Sequence, residues 1–284
     1  MSKLVSTTKL NSDYISVGSS FGGDQTWFEN IDRKWKGRAI KGFGCGLIGA
    51  ADVLMYTLGQ DVVLEGVSET DSMDGSGNDA KSLSGLAKKR SGTDAKKMSD
   101  IARNSSPNSI NKELYMAYIS RLEKLYFHIL PKLGLSGILM ALGVNLFFLT
   151  HRRLIRNITG CRFRAHWAVR PWKLLDKIRE MLENDIPVVI SIGPGFLRKD
   201  KVKLYSATEK NGKIHYKPVT QTKDHYVTVT GVVELSDITM IEISSWGKRY
   251  YINWKEYTDY VKKNDNYFFS NILYISKKPV GGEK

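Results

Sequence analysis

The chain has 284 residues, with 43 lysines and arginines against 29 aspartates and glutamates, and a formal charge of +14. Its 42% hydrophobic residues exclude a disordered or collagen-like chain and predict a globular protein with a sizeable core. The two cysteines stand far apart and outside any CxxC pair, which argues against a disulfide framework or a structural zinc site. This cysteine usage, together with an N-terminus that lacks a signal-peptide-like apolar run, predicts a cytoplasmic protein.

In chain order, the first clear helix is GLIGAADVLMYTLG, whose apolar residues recur at helical spacing and which ends at Gly59. Residues 66–110 contain no aromatic residue and are rich in Ser, Gly, Asp and Lys, which predicts a long flexible insertion. Asn111 is suited to cap a second helix. Pro171 is suited to the first turn of a further helix after an uncharged stretch.

That uncharged stretch, residues 133–150, and the basic run behind it allow two interpretations each. The stretch resembles a short membrane span with a positive-inside flank, but its glycines and its length favour a buried helix. The basic run predicts either a solvated face or a surface for an acidic partner or a membrane, and without a nucleic-acid-binding motif we expect no specific nucleic-acid partner. Its arginines are Arg152, Arg153, Arg156, Arg162, Arg164 and Arg170.

From Pro187 onward the pattern changes to that of strands. β-branched and aromatic residues are enriched in PVVISI, KVKLYS, KIHYKP, HYVTVTGVVE, ITMIEISSW, RYYINW and YFFSNILYIS. One short helix is predicted at 254–261. Helices followed by strands indicate an α+β fold, here one domain over residues 1–284 with a helical lobe at about 20–184 and an antiparallel sheet lobe at about 185–278.

Cys45 and His225 are the candidate catalytic pair. Cys45 follows a glycine-rich approach and begins a helix, where backbone N–H groups and the macrodipole favour a thiolate, so we expect a lowered pKa; the alternative is a small core cysteine. His225 begins a strand and shares a face with Val227 and Val229, which would hold it rigidly over a helix-borne thiol. Cys161 lacks this context and is expected to be structural.

The segments GCGLIGAADVLMY, PVVISI, HYVTVTGVV and ISSWGKRYYI, in this order, resemble the papain-like cysteine peptidases, and more closely the bacterial branch that contains the bacteriocin-processing leader peptidases. The resemblance covers roughly residues 20–275 without the insertion. It implies a two-lobe fold, Cys45 as the nucleophile, and His225 as the general base that later protonates the leaving amine.

Two further positions follow from the same resemblance. The family uses a glutamine before the cysteine to bind the oxyanion, and Gln25, although farther upstream than usual, is the candidate; the alternative is a turn residue. The family has Asn or Asp just ahead of Trp-Gly to orient the histidine, whereas this chain has Ser244 there, followed by Ser245. A serine hydroxyl can fix the imidazole tautomer but has no charge. Asp224 points to the opposite side of a regular strand.

The sequence therefore predicts a monomeric thiol hydrolase, most simply a peptidase that acts on a peptide or protein without a metal or organic cofactor. An acyltransferase or a deamidase with the same Cys–His pair fits the sequence equally well. The alternative of a different class is a noncatalytic papain-like module that binds an acidic partner or a membrane surface through the basic run.

Overall fold

The computed structural model describes residues 4–30, 34–60, 62–63, 109–130, 134–193, 200–210, 213–264 and 266–281. Over these ranges the protein is a mixed α+β structure with seven α-helices and a large antiparallel sheet. The predicted insertion lies outside the described residues except for Ser109–Ile110, a short strand.

The nine-stranded sheet contains nearly all of the predicted strands. Its hydrogen-bonded order is β5-β12-β6-β9-β10-β11-β7-β8, and β1 pairs with the second half of β9; every pairing is antiparallel. The strands are β1 (Leu4–Lys9), β5 (Cys161–Trp167), β6 (Val188–Ile192), β7 (Val202–Lys210), β8 (Lys213–Thr222), β9 (His225–Leu235), β10 (Thr239–Ser245), β11 (Lys248–Asn253) and β12 (Ile272–Pro279). A small second sheet consists of β2 (Ser16–Val17), β3 (Ser20–Phe21) and β4 (Ser109–Ile110).

The helices lie mainly before β6. They are α1 (Lys34–Phe43), α2 (Cys45–Leu58), α3 (Lys112–Leu125), α4 (Gly137–Thr150), α5 (Arg152–Thr159), α6 (Leu174–Glu183) and α7 (Trp254–Asn264), with 3₁₀ turns at Gln25–Asn30 and Pro171–Lys173. Local signals fix several ends. The Asn111 side chain accepts hydrogen bonds from the backbone N–H groups of Glu113 and Leu114, as a helix N-cap does, and Gly59 ends α2.

Two hydrophobic cores lie on the two faces of the large sheet. One core contains α2, α3 and α4, and the other contains α6, α7 and the inward residues of β6 and β9. Helix α2 is buried along nearly its whole length and packs on β9 and β6. A Cβ at Gly49 would lie 3.0 Å from the Val189 side chain, so the glycine permits this close approach. The helix that begins at Cys45 is thus held firmly against the sheet.

The α+β class and most elements after residue 187 are confirmed, including the short helix, which extends from Trp254 to Asn264. Residues 161–167, which the sequence places in the helical lobe, form an edge strand of the sheet, and so do residues 4–9 at β9. The stretch 133–150 contains a helix from Gly137 whose inner face is buried. None of the described helices meets the length and apolarity needed to cross a membrane by itself; α4 and α5 meet them only together, and the pair is bent by 77°.

Candidate functional site

Cys45 is the first residue of α2 and lies at the edge of a pocket. Gly44 precedes it at the N-cap position, without a capping side chain. The thiol is free and partly buried. Backbone N–H groups of Tyr226, Gly46 and Cys45 itself point at the sulfur and stabilise its charged form. The contact with Tyr226 places the sulfur beside the first residues of β9, where His225 begins the strand.

His225 approaches the pocket from the end of its strand. Tyr226 and Thr228 face α2, since a Cβ at Gly46 or Gly49 would contact them, whereas Val227 lies in the core on the other side of the sheet. The expectation that the His225 face of β9 packs on the cysteine helix is therefore wrong. The imidazole nevertheless lines the same pocket as Cys45, because His225 is the first residue of β9 and lies at the end of the sheet.

Ser245, and not Ser244, is the hydrogen-bond partner of His225. The distance between His225 Nε2 and Ser245 Oγ is 2.8 Å, while Ser244 Oγ donates to the carbonyl of Phe21 at 2.7 Å. The strand register explains the correction. Ser244 pairs with Thr228 and shares its α2-facing side, and the alternation of β10 places Ser245 on the side that His225 occupies. Spacing from the Trp-Gly pair indicated the wrong serine.

A tight turn places an aromatic ring over the imidazole. Trp246 and Gly247 connect β10 to β11, and both have positive φ, 48° and 67°, as in a type I′ hairpin turn. A tryptophan in the left-handed region is strained, and such strain occurs where the surrounding structure requires it. The Trp246 ring stacks on His225, with ring centroids 4.4 Å apart and an interplanar angle of 14°. The turn therefore fixes the imidazole between the Ser245 hydroxyl and the indole.

Both members of the candidate pair are neutral at neutral pH. Burial lowers the pKa of His225 to about 4. Burial also raises the pKa of the Cys45 thiol, and the nearby backbone N–H groups offset this only in part. The prediction that the helix N-terminus lowers the pKa of the Cys45 thiol is therefore wrong. The loss of solvation raises this pKa by more than the helix N-terminus lowers it. Ser245 provides no charge that would stabilise an imidazolium.

Gln25 lies at the opposite rim of the pocket. It begins the 3₁₀ turn, and its side-chain Nε2 donates a hydrogen bond to the carbonyl of Lys41 at 2.9 Å. An amide nitrogen has two hydrogens, so this bond orients the group and leaves a second donor. The structure places Gln25 and Cys45 along the same pocket, although they are 20 residues apart in the chain.

Asp52 is the site residue that the sequence analysis missed. It lies two turns after Cys45 on α2, is buried, and lines the base of the pocket. Its carboxylate accepts hydrogen bonds from Tyr14 Oη at 3.0 Å, Tyr115 Oη at 2.6 Å and the Gly23 N–H at 3.1 Å. Burial raises its pKa to about 6, although these three donors favour the ionised form. One signal was visible in the sequence: Asp52 is the single charged residue of an otherwise apolar helix.

The Asp52 carboxylate connects helix α2 to the loop that contains Gly22 and Gly23, just before Gln25. A Cβ on Gly22, whose φ is 77°, would lie 2.7 Å from the Asp52 carboxylate, and one on Gly23 would lie 2.0 Å from Tyr115 Oη. Only glycine allows the chain to pass this close. Ser244 bonds the Phe21 carbonyl of the same loop. Asp52 and Ser244 therefore both hold the segment that leads to Gln25.

A single small pocket is lined by every candidate residue. Cys45, His225, Gln25, Ser244, Ser245, Trp246 and Asp52 all line it. Cys161 is buried elsewhere, at the start of β5. Within the described ranges, no group of three or more His, Cys, Asp or Glu side chains is arranged to hold a metal ion. The arrangement brings a thiol, an imidazole and hydrogen-bond donors to one small space, which are the groups that acyl transfer uses.

Comparisons with family models, with curated proteins and with solved structures gave no significant match.

Proposed function

We propose that this protein is a cytoplasmic, monomeric cysteine peptidase with a papain-like two-lobe arrangement, in which Cys45 attacks a peptide carbonyl and His225 is the general base. One observation supports the proposal above all: Cys45 and His225, selected by their chemistry, line a single pocket with Gln25, which the family resemblance selected from a third segment. Such a meeting is not required by packing alone, since these side chains are polar or reactive and could each face solvent.

The neutral pair implies a particular order of proton transfers. The proposal requires the tautomer in which the Nε2–H of His225 donates to Ser245 Oγ, 2.8 Å away, and the Nδ1 lone pair is the base. As the sulfur bonds to the peptide carbonyl carbon, the thiol proton passes to this imidazole. The imidazolium then gives that proton to the departing amine, and a thioester remains on Cys45. Water, deprotonated by the same imidazole, attacks the thioester and restores the thiol.

The oxyanion of each tetrahedral intermediate needs donors that are already in place. In the proposal these are the backbone N–H of Cys45 at the start of α2 and the free amide hydrogen of Gln25. The Lys41 carbonyl fixes the orientation of this amide, and Asp52 fixes the loop that leads to it. One donor of this kind typically contributes about a hundredfold or more to turnover.

The substrate class follows from the size and chemistry of the site. The pocket is narrow and has room for no more than a small group at the reacting carbonyl, so nearly all of an extended peptide would lie outside it. Transfer of the acyl group to an amine other than water, or attack on a side-chain amide, uses the same atoms. A peptide or protein is therefore the substrate, with hydrolysis as the simplest outcome.

Mass spectrometry of a peptide library incubated with the protein tests this proposal. Wild type and Cys161→Ser should give the same new cleavage products, while Cys45→Ala and His225→Ala should give none and remain folded by circular dichroism. Loss of the products in Cys161→Ser, with Cys45→Ala unaffected, would contradict the assignment of the nucleophile.

A noncatalytic binding module is the second candidate, and the protonation states favour it. A neutral thiol with a raised pKa beside an imidazole with a pKa of about 4 is a weaker nucleophile than a preformed ion pair. If the protein is such a module, neither wild type nor any variant gives cleavage products in the library screen, and iodoacetamide labels Cys45 as slowly as Cys161. Faster labelling of Cys45 that requires His225 supports the peptidase.

A further inference from the structure

Helix α4 presents an exposed aliphatic face to solvent. Five of its side chains are between 40% and 65% exposed, whereas its opposite side is buried against β5 and the helical core. With a rotation of about 100° per residue, the five lie within an arc of about 100° along the helix. They are Ile138, Leu139, Leu142, Leu146 and Leu149. A surface helix of a globular protein normally has polar residues on this side.

Basic side chains continue this face where α4 ends. Helix α5 starts two residues later, bent by 77° from α4, and exposes Arg152, Arg153 and Arg156. The chain contains no aspartate or glutamate between Glu123 and Asp176, so neither helix has an acid to neutralise these arginines. Aliphatic side chains flanked by arginines are typical of helices that lie in a membrane interface.

The six arginines predicted to form one cluster divide into separate groups. In β5, Phe163 and Ala165 face α4, through a Phe148–Phe163 ring contact and the Asn145 side chain that bonds the Ala165 backbone. Strand alternation therefore places Arg162 and Arg164 on the opposite side of the sheet. The three arginines of α5 remain as the group next to the aliphatic face.

We propose that the exposed face of α4 and the arginines of α5 together dock this protein on the surface of an anionic lipid bilayer. The leucines enter the boundary between headgroups and acyl chains, and the guanidinium groups bind lipid phosphates. The 14 residues of α4 extend about 21 Å, less than a hydrocarbon core of about 30 Å, and its other face is buried, so the helix lies on the membrane.

Charge argues against a second copy of the chain as the occupant of this face. In a two-fold contact through α4, helices α4 and α5 of the second copy would supply no acid to pair with the three α5 arginines of the first. A bilayer that contains anionic lipid supplies the missing negative charge instead. The opposite, buried side of α4 packs beside the helix of Cys45, since a Cβ on Gly46 of α2 would lie 3.0 Å from Met140.

Vesicle co-sedimentation of the full chain tests the proposal. The probes are vesicles of phosphatidylcholine alone and of phosphatidylcholine mixed equally with phosphatidylglycerol. Wild type should bind the mixed vesicles, and more weakly at high salt. Replacing Arg152, Arg153 and Arg156 by Gln should weaken this binding by about a hundredfold. Leu142→Glu and Leu149→Glu should each weaken it by about tenfold or more at any salt concentration.

Matched controls lie on the opposite edge of the sheet. Ile214 and Val219 of β8 are also aliphatic and exposed, at 43% and 50%, so Ile214→Glu and Val219→Glu should bind as wild type does. Circular dichroism checks that each variant is folded. Three results would overturn the proposal: wild type that ignores the mixed vesicles, leucine variants that bind as tightly as the controls, or a dimer in solution that Leu142→Glu dissociates.

Discussion

The Nε2 atom of His225 and the hydroxyl of Ser245 are 2.8 Å apart, in a site where the Trp246 ring covers the same imidazole. In the proposed papain-like site, this serine therefore takes the place of the amide or carboxylate that the family has beside its histidine. Its hydroxyl orients the ring without adding charge, and burial keeps the imidazole neutral. In the proposed peptidase, the base is ready to accept a proton at all pH values well above 4.

Ser245→Ala should lower kcat/KM by about tenfold, the loss expected for one buried hydrogen bond that fixes a tautomer. Ser244→Ala is the control for the imidazole alone, because its hydroxyl bonds the Phe21 carbonyl and not the ring. Nitrogen chemical shifts of the imidazole distinguish the two: they should change only in Ser245→Ala. Equal shifts in both variants would show that Ser245 does not set the tautomer.

The pH profile of kcat/KM should remain flat from neutral pH down to about 5 and fall only as the pH drops through about 4. His225 must be unprotonated to act as the base, and its pKa is about 4. Ser245→Asp should move this acid limb to higher pH, since a carboxylate beside the imidazole stabilises its charged form. An acid limb near 6.5 in wild type would contradict the burial of His225.

Gln25→Ala should lower kcat by about a hundredfold and leave KM nearly unchanged, because the amide binds the oxyanion and not the ground-state substrate. Thr26→Ala is the control, as Thr26 is exposed in the same 3₁₀ turn. Steady-state kinetics on a cleaved peptide provide the measurement. If kcat is the same for both variants, Gln25 is a structural residue that holds the Lys41 carbonyl.

Asp52 should make stability depend on pH in an unusual direction. Its pKa in the folded protein is about 6, above the ordinary 3.8, so the folded state binds the proton more tightly than the unfolded chain. This contribution is complete below pH 3.8 and is lost as the pH rises through 6. The gap corresponds to about 3 kcal/mol, at about 1.4 kcal/mol for each pKa unit.

Urea unfolding of wild type and Asp52→Asn between about pH 4 and pH 7 measures this contribution. The free energy of unfolding of wild type should fall by about 2 kcal/mol relative to the variant over that interval, since the contribution is not yet complete at pH 4. Asp52→Ala should be destabilised at every pH, because the Tyr14 and Tyr115 hydroxyls and the Gly23 N–H lose their acceptor. If the free energies of unfolding of wild type and Asp52→Asn change with pH in the same way, the pKa of Asp52 is not raised in the folded protein.

Sequence patterns predicted the helix ends and strands that depend on neighbouring residues in the chain. The end of α2 at Gly59 and the Asn111 cap depend on a few adjacent residues, and the strands from β6 onward depend on their own β-branched and aromatic residues. The edge strand β5 was harder to assign to the sheet, since its alternating arginines resemble a solvated segment and its partner, β12, lies more than 100 residues later.

The site shows the same division. Residue chemistry made Cys45 and His225 candidates, and the family resemblance added Gln25. The choice between Ser244 and Ser245 depends on the register of β10 against β9, which no local pattern contains. The acceptor role of Asp52 depends on tyrosines from two distant segments. The thiol pKa was predicted in the wrong direction because a helix start is visible in the sequence, whereas burial by the sheet is not.

The most direct test of the central claim is the location of an acyl-enzyme. A peptide substrate found in the library screen is mixed with excess protein, quenched in acid within the first turnover, and the protein is digested and analysed by mass spectrometry. The account predicts a mass increase equal to the N-terminal part of the substrate on Cys45, absent in His225→Ala, with Cys161 unmodified. Turnover without any adduct on Cys45, or an adduct on Cys161, would contradict it.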